Sequence, residues 1–214
     1  MLKVDHLTIG YDSRALVRDI SFELAPGECV LLAGPNGTGK TTLLKWLASG
    51  EAAVVLIPTN IPKVKGFTVE AFVRTGCYRE SDWRGRISKE VEGRMEEALK
   101  MLGIEGLKGR DISTLSDGEF QKACLATGLT RRAEVLLLDE PTAHLDVENR
   151  IDVLRTLQEV ARKKGTAVLF SSHDLHDALQ VADRVFALTR DGRFLASAGT
   201  DVLRAAFPAL ANLL

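Results

Sequence analysis

The sequence predicts an α/β fold with a mostly parallel central sheet flanked by helices. Three observations predict it. A glycine-rich loop, Gly34-Pro35-Asn36-Gly37-Thr38-Gly39-Lys40-Thr41, follows directly on the apolar run Cys29–Ala33 and leads into a helical stretch, Thr41–Ser49. Cys29–Ala33, Val135–Leu138 and Ala167–Phe170 are continuous apolar runs without alternation, the pattern of strands buried on both faces. Apolar stripes at helical spacing lie between them: Ile87, Val91, Met95, Ala98, Leu99 and Leu102, then Ile151, Leu154, Leu157 and Val160.

In chain order, Leu2–Ile9 and Leu16–Leu24 alternate enough to form an antiparallel, hairpin-like N-terminal unit, and Pro26-Gly27-Glu28 turns the chain into Cys29–Ala33. Ala53–Ile57 reads as a short apolar strand. The first stripe stops at Gly103 and the second near Lys163-Lys164-Gly165, both C-terminal stop signals. Both stripes are core faces rather than cofactor sites. Val185–Leu188 and Arg193–Ser197 flank Asp191-Gly192, a hairpin signal. The Gly103–Gly109 connection is glycine-dotted but short, and there is no repeat or linker.

Composition narrows the function. The chain has 214 residues, 45% hydrophobic and 27% charged, with a formal net charge of −1. No overall basic field argues for nucleic acid. The local run Arg79–Arg86 also carries Glu80 and Asp82 and reads as a solvated loop. No apolar run reaches the ~20 residues that span a bilayer, and Met1–His6 lacks a signal-peptide core, so a cytoplasmic location is expected. Cys29, Cys77 and Cys124 are scattered, as buried thiols in a reducing compartment would be.

The glycine-rich loop has G-x-x-x-x-G-K-[ST] spacing. Gly34, Gly37 and Gly39 let the backbone wrap closely around an anion, with N–H donors and the helix N-terminus aimed at phosphate oxygens. Lys40 would reach the β- and γ-phosphates, and the Thr41 hydroxyl would ligate Mg²⁺. Such a loop needs a second acidic residue on a neighbouring strand. Asp139 supplies it at the carboxyl end of Val135–Leu138 and would hold the metal through water. Glu140 follows, placed as the general base for a water attacking the γ-phosphate. The nucleotide-binding set is therefore Gly34, Pro35, Asn36, Gly37, Thr38, Gly39, Lys40, Thr41 and Thr42.

Further residues carry a family resemblance. Leu115-Ser116-Asp117-Gly118-Glu119 resembles the L-S-G-G-Q signature of ATP-binding cassette (ABC) ATPases, and Asp139-Glu140-Pro141-Thr142 is similar to their Walker B continuation. Ala143-His144-Leu145-Asp146 resembles the D-loop, Ser171-Ser172-His173-Asp174 the switch-histidine loop, and Tyr11 stands where an adenine-stacking aromatic is expected. His6, His144 and His176 match no functional position of the family. The motifs come in the family's order, from about Leu2 to about Gly199. The resemblance implies a P-loop NTPase, one ABC ATPase domain over 1–214, with a reduced N-terminal antiparallel β portion and a helical signature subdomain at about 66–130. Ser116, Gly118 and Glu119 stand at the start of a second helix, Gly118–Leu129, whose N-terminus suits an anion. The family uses such a pair of ends in a head-to-tail dimer, with each ATP between one subunit's loop and the other's signature. By that resemblance Asp146 helps position the opposite site, His173 contacts the γ-phosphate, and Glu140 and His173 are the catalytic pair. ATP and Mg²⁺ are the implied cofactors. Permease subunits and a second copy are the implied partners, with no nucleic acid, and the location is peripheral on the inner face of the cell membrane.

The chain departs from the pattern in three places. Thr59, with Asn60 beside it, stands where the family has its metal-touching Q-loop glutamine, and is too short for that contact. The segment between Trp46 and Val54 is brief, so part of the antiparallel subdomain is missing. Asp117 replaces the first signature glycine, and an extra carboxylate there should weaken closure on ATP unless it points away from the nucleotide. The stretch from Phe67-Thr68-Val69-Glu70 through Gly76-Cys77-Tyr78 to Gly85-Arg86-Ile87-Ser88 resembles the corresponding segment of importer ATPases for iron chelates, haem and cobalamin. Its neighbourhood, residues 59–86, is where a permease helix would dock. Export, a soluble non-transport ATPase, and a binding module without hydrolysis stay open as alternatives; retention of Glu140 and His173 weighs against the last.

Overall fold

The computed structural model describes residues 1–11, 14–50, 53–197 and 201–207, without the side chains of 11, 14, 204 and 205. Its central sheet has six strands. β3 (Cys29–Ala33) lies inside it, with all five residues buried. On one side stand β6 (Ala167–Ser171), β5 (Val135–Leu138) and β4 (Val54–Ile57), and on the other β7 (Arg184–Leu188) and β8 (Phe194–Ser197). Every pairing is parallel except that of β7 with β8. β1 (Leu2–Tyr11) and β2 (Arg14–Leu24) form a separate antiparallel ribbon, with Leu2 opposite Leu24. The apolar runs became strands because both sheet faces are covered.

Successive residues of each strand serve opposite cores, as the two-residue period demands. Leu31, Leu136, Val168 and Phe170 join a cluster with helices α2 (Val69–Arg74), α3 (Lys89–Met101), α4 (Asp117–Thr130) and α5 (Val147–Lys164). Val30, Leu32, Leu137 and Leu169 pack instead with the β1–β2 ribbon and α1 (Lys40–Ala48). Contact is close where α4 packs on the sheet: a Cβ at Gly128 would lie 2.7 Å from Leu136 Cδ2. The three cysteines are free and buried, and burial pushes the thiols of Cys29 and Cys124 up to about 12.

Some expected boundaries move. Ile87 belongs to the apolar stripe but precedes α3, because the Ser88 side chain accepts the Val91 N–H and caps the helix. α3 ends before Gly103, whose φ of 65° is the left-handed stop. α4 starts one residue before the expected Gly118. Six short elements among the described residues had no bounds in the sequence reading: α2, the 3-10 turns Thr75–Glu80, Glu105–Leu107 and Ile112–Thr114, α6 (Leu175–Leu179) and α7 (Asp201–Ala206). The Arg79–Arg86 run divides between that turn and a loop in which Asp82 Oδ1 accepts the N–H groups of Arg84 and Arg86.

The strand order sets the site. β5, β6 and β3 are neighbours running the same way, so the residues following Leu138, Phe170 and Ala33 emerge together at one sheet edge. Ligands of open parallel sheets bind at that edge.

Candidate active site

The loop after β3 is shaped by two glycines. Gly34 has φ 153° and a Cβ there would meet Leu188 O at 2.7 Å, while Gly39, at φ 102°, ends the loop as the N-cap of α1. Within the loop the Thr38 hydroxyl donates to Pro35 O (2.9 Å). Lys40 is 6% exposed, and its Nζ reaches back across the loop to Gly34 O (2.8 Å) and Pro35 O (3.3 Å). Burial lowers the Lys40 ammonium from the ordinary lysine range, opposed by the nearby carboxylates of Glu140 and Asp139. A polyanion in the loop would favour its charged form.

Beside it, Asp139 is held from two directions. Thr41 Oγ1 donates to its Oδ2 (2.7 Å) and Ser171 Oγ to its Oδ1 (2.9 Å). Ser171 Oγ also accepts the Glu140 N–H (2.9 Å), so one hydroxyl at the end of β6 fixes two successive residues after β5. Glu140 has a φ of 51°, a left-handed conformation that costs a non-glycine residue about 1–2 kcal/mol. Its Oε1 lies 2.5 Å from His173 Nε2. Leu16, Asn36, Gly37, Gly39, Lys40, Thr41, Thr42, Glu140 and His173 line one cleft of about 480 Å³. The expected loop, metal and catalytic residues thus come together. Sequence reasoning placed Ser171 in the switch-histidine loop but missed its bracing role, and it missed Leu16 as a lining residue. The polar end of the Ala167–Phe170 run was a signal for the first; nothing marked the second. The Tyr11 side chain lies outside what is described.

The signature residues do not line this cleft. Ser116 caps α4 in a reciprocal box: its Oγ accepts the Glu119 N–H (3.2 Å), and Glu119 Oε2 accepts the Ser116 N–H (2.8 Å). That backbone N–H is the main reason the Glu119 carboxyl titrates below its ordinary range. Asp146 caps α5, accepting from the Asn149 N–H and Nδ2, both at 2.8 Å. The backbone bond is the first cause of its lowered pKa. Gly118 abuts the same Asn149: a Cβ would fall 2.5 Å from Oδ1. A second cleft of about 450 Å³, lined by residues including Thr59, Lys63, Asp117, Phe120 and His144, shares no lining residue with the first.

Two of the departures gain a physical account. The Thr59 hydroxyl donates to the backbone carbonyl of Asp139 (2.8 Å), so it braces that residue from outside the carboxylate. Asp117 Oδ1 is 2.6 Å from Lys63 Nζ.

A family model described as ABC transporter matches residues 17–143. The chain belongs to that family. It is the ATP-binding subunit of an ABC transporter, an ATPase that binds nucleotide. It is 33% identical over 218 residues to the ferric enterobactin transport ATP-binding protein FepC of Escherichia coli, covering 91% of this chain and 80% of the relative. It is 32% identical over 214 residues to the zinc import ATP-binding protein ZnuC of a Jannaschia species, covering 97% and 86%. In fold it matches a chain from an inward-facing ABC transporter assigned to the metal-chelate type, with a TM-score of 0.86 at 23% identity over 96% of this chain and 88% of that one. Among the described residues of this ABC subunit, no helix is long and apolar enough to cross a membrane.

Proposed function

We propose that this subunit powers import of an iron chelate, hydrolysing ATP as a head-to-tail pair docked on a permease at the inner membrane face. The observation that carries the mechanism is the division of the site: Lys40, Thr41, Glu140 and His173 line one cleft, and the signature end of α4 lies outside it. A triphosphate held in one copy's loop then meets Ser116 and Gly118 from a second copy, with Asp146 helping to position the opposite site.

In this reading the loop from Gly34 to Thr42 cradles the phosphates through its N–H groups, and Lys40 neutralises them. Tyr11 stacks on the adenine. The Thr41 hydroxyl and the Asp139 carboxylate, 2.7 Å apart, form an oxygen donor pair suited to Mg²⁺, Asp139 acting through water. Bound there, the ion would offset charge building on the phosphate oxygens. Glu140 accepts a proton from the attacking water, and His173 holds the Glu140 carboxylate in line while contacting the γ-phosphate. Import of an iron chelate is supported by the relation to the ferric enterobactin protein and by the segment at 67–88. Docking beside residues 59–86 is supported by exposed Tyr78 (80%) and Trp83 (85%). Zinc import is the second reading, favoured by the zinc-import relative that aligns over 97% of the chain.

Glu140→Gln tests the mechanism. Turnover should fall by ~10²–10⁴-fold, and ATP should draw two copies together, read by light scattering. Unchanged turnover, or a variant that ATP never pairs, would refute it. ATP-driven uptake of ⁵⁵Fe-chelate against ⁶⁵Zn, measured in vesicles carrying the cognate permease, separates the two cargo readings.

A further inference from the structure

We propose that Lys63 is a positioning residue: by neutralising Asp117 it keeps the signature end of α4 attractive to the phosphates of ATP. The inference rests on the head-to-tail reading above, in which that helix end meets a nucleotide held by the other copy.

The first turn of α4 carries two carboxylates, Asp117 and Glu119. Both favour the helix, whose N-terminus behaves as roughly +0.5 charge. Both also consume the positive potential that an incoming triphosphate would use. Two cations restore it. Arg110 Nη1 lies 3.4 Å from Glu119 Oε1, and Lys63 Nζ lies 2.6 Å from Asp117 Oδ1. With both cations present, the local sum stays at roughly +0.5. Without Lys63 it becomes roughly −0.5. Losing either cation reverses the sign of that sum, and the sequence pattern alone does not connect Lys63 to the signature.

Lys63 is held for this task. Its ammonium also donates to Leu115 O (2.9 Å) and sits over the Phe120 ring, 5.4 Å from the centroid. The segment that carries it is anchored four residues earlier, where Thr59 donates to Asp139 O. The Asp117 side chain is 63% exposed, and such pairs contribute little to fold stability. Their consequence is local potential. Asp117, a departure from the family signature, is thus matched by a cation 54 residues away in sequence.

The test uses the Glu140→Gln chain and light scattering to find the ATP concentration at half-maximal pairing. Lys63→Met should raise it roughly tenfold in low salt, the order expected for one charge acting across a partly solvated gap. The difference should shrink as salt is added. Adding Asp117→Asn to Lys63→Met should bring the value back to within about twofold of the parent, since the net charge is restored. Lys63→Arg should stay near the parent. Pairing by Lys63→Met at the parental ATP concentration, or no rescue by Asp117→Asn, overturns the inference while leaving the dimer reading intact. A parent that never pairs with ATP overturns the dimer reading, and this inference with it.

Discussion

Replacing Gly118 with alanine sets two opposed effects against each other. Gly118 is the second residue of α4, and alanine in a helix gains up to about 1 kcal/mol over glycine. Against this, the new Cβ would lie 2.5 Å from Asn149 Oδ1, 2.9 Å from its Cγ and 3.3 Å from its Cβ. A terminal amide could often swing away, but this one is tied: Nδ2 donates to Asp146 Oδ2 and the backbone N–H to Oδ1. Moving it loses a hydrogen bond, about 0.5–1.5 kcal/mol, and crowding that remains costs about 1–3 kcal/mol. The net expectation for Gly118→Ala is a loss of about 1–2 kcal/mol. In an Asn149→Ala background the amide obstruction is gone and only the Cβ contact at 3.3 Å remains, which a small shift relieves, so the same substitution should be neutral or stabilising by up to about 1 kcal/mol. The coupling is then roughly 1–3 kcal/mol, as contacting residues show. Urea unfolding of the four proteins of the cycle, followed by circular dichroism at constant m-value, measures it. A Gly118→Ala cost that is the same with and without Asn149 would refute the reasoning.

Two further outcomes follow from the same helix. Gly128→Ala should lower unfolding free energy by about 1–2 kcal/mol, because its Cβ would meet Leu136 Cδ2 at 2.7 Å and Ile57 Cδ1 at 3.4 Å; urea titration checks this, and Leu136→Val should reduce the cost. For the capping box, the folded-state pKa of Glu119 lies below its unfolded value, so its contribution is present above the ordinary glutamate range and lost as pH falls through the lowered value. Glu119→Gln keeps an acceptor without the titration. The urea-midpoint gap between wild type and Glu119→Gln should therefore be widest near neutral pH and close on acidification.

What the sequence disclosed and what it hid divide along physical lines. β3, β5 and β6 were legible because strands covered on both faces need nothing but apolar residues. The loop at Gly34–Thr41 was legible because its function fixes both residue types and spacing. α3 and α5 run 13 and 18 residues, long enough to show a period. α2 and α6 have six and five, fewer than two turns, so their stabilising information lies in single caps: Thr68 accepting from Ala71 N–H, and Asp174 accepting from Asp177 N–H. Residues expected around the loop, among them Lys40, Thr41, Glu140 and His173, line one cleft, but the contacts that support them could not be read. Ser171 joins Asp139 and Glu140 only because β6 and β5 are neighbours. Lys63 and Asp117 meet only because the chain between them folds back.

α4 borders the second cleft, and its two ends are held differently. Toward its C-terminus Leu125, Ala126, Gly128 and Thr130 are buried, and Gly128 sits against the sheet at a distance that leaves no room for a methyl group. Shifting that end would open voids in a close-packed core. Its N-terminus combines packing with polar contacts: Gly118 and Phe120 are buried, Lys63 reaches Leu115 O and Asp117, and Gly118 abuts an Asn149 side chain that is itself tied to Asp146. One residue beyond Asn149, Arg150 pairs with Asp174 and Asp177, next to His173. Contacts of this kind are directional and individually weak. They can define a position and still be exchanged for others at small cost. The residues that border the signature, Lys63 and Asn149, belong to segments whose other contacts run to Asp139 and Asp146. The surroundings of the signature are in this way joined to those of Asp139 and Asp146 through short covalent stretches.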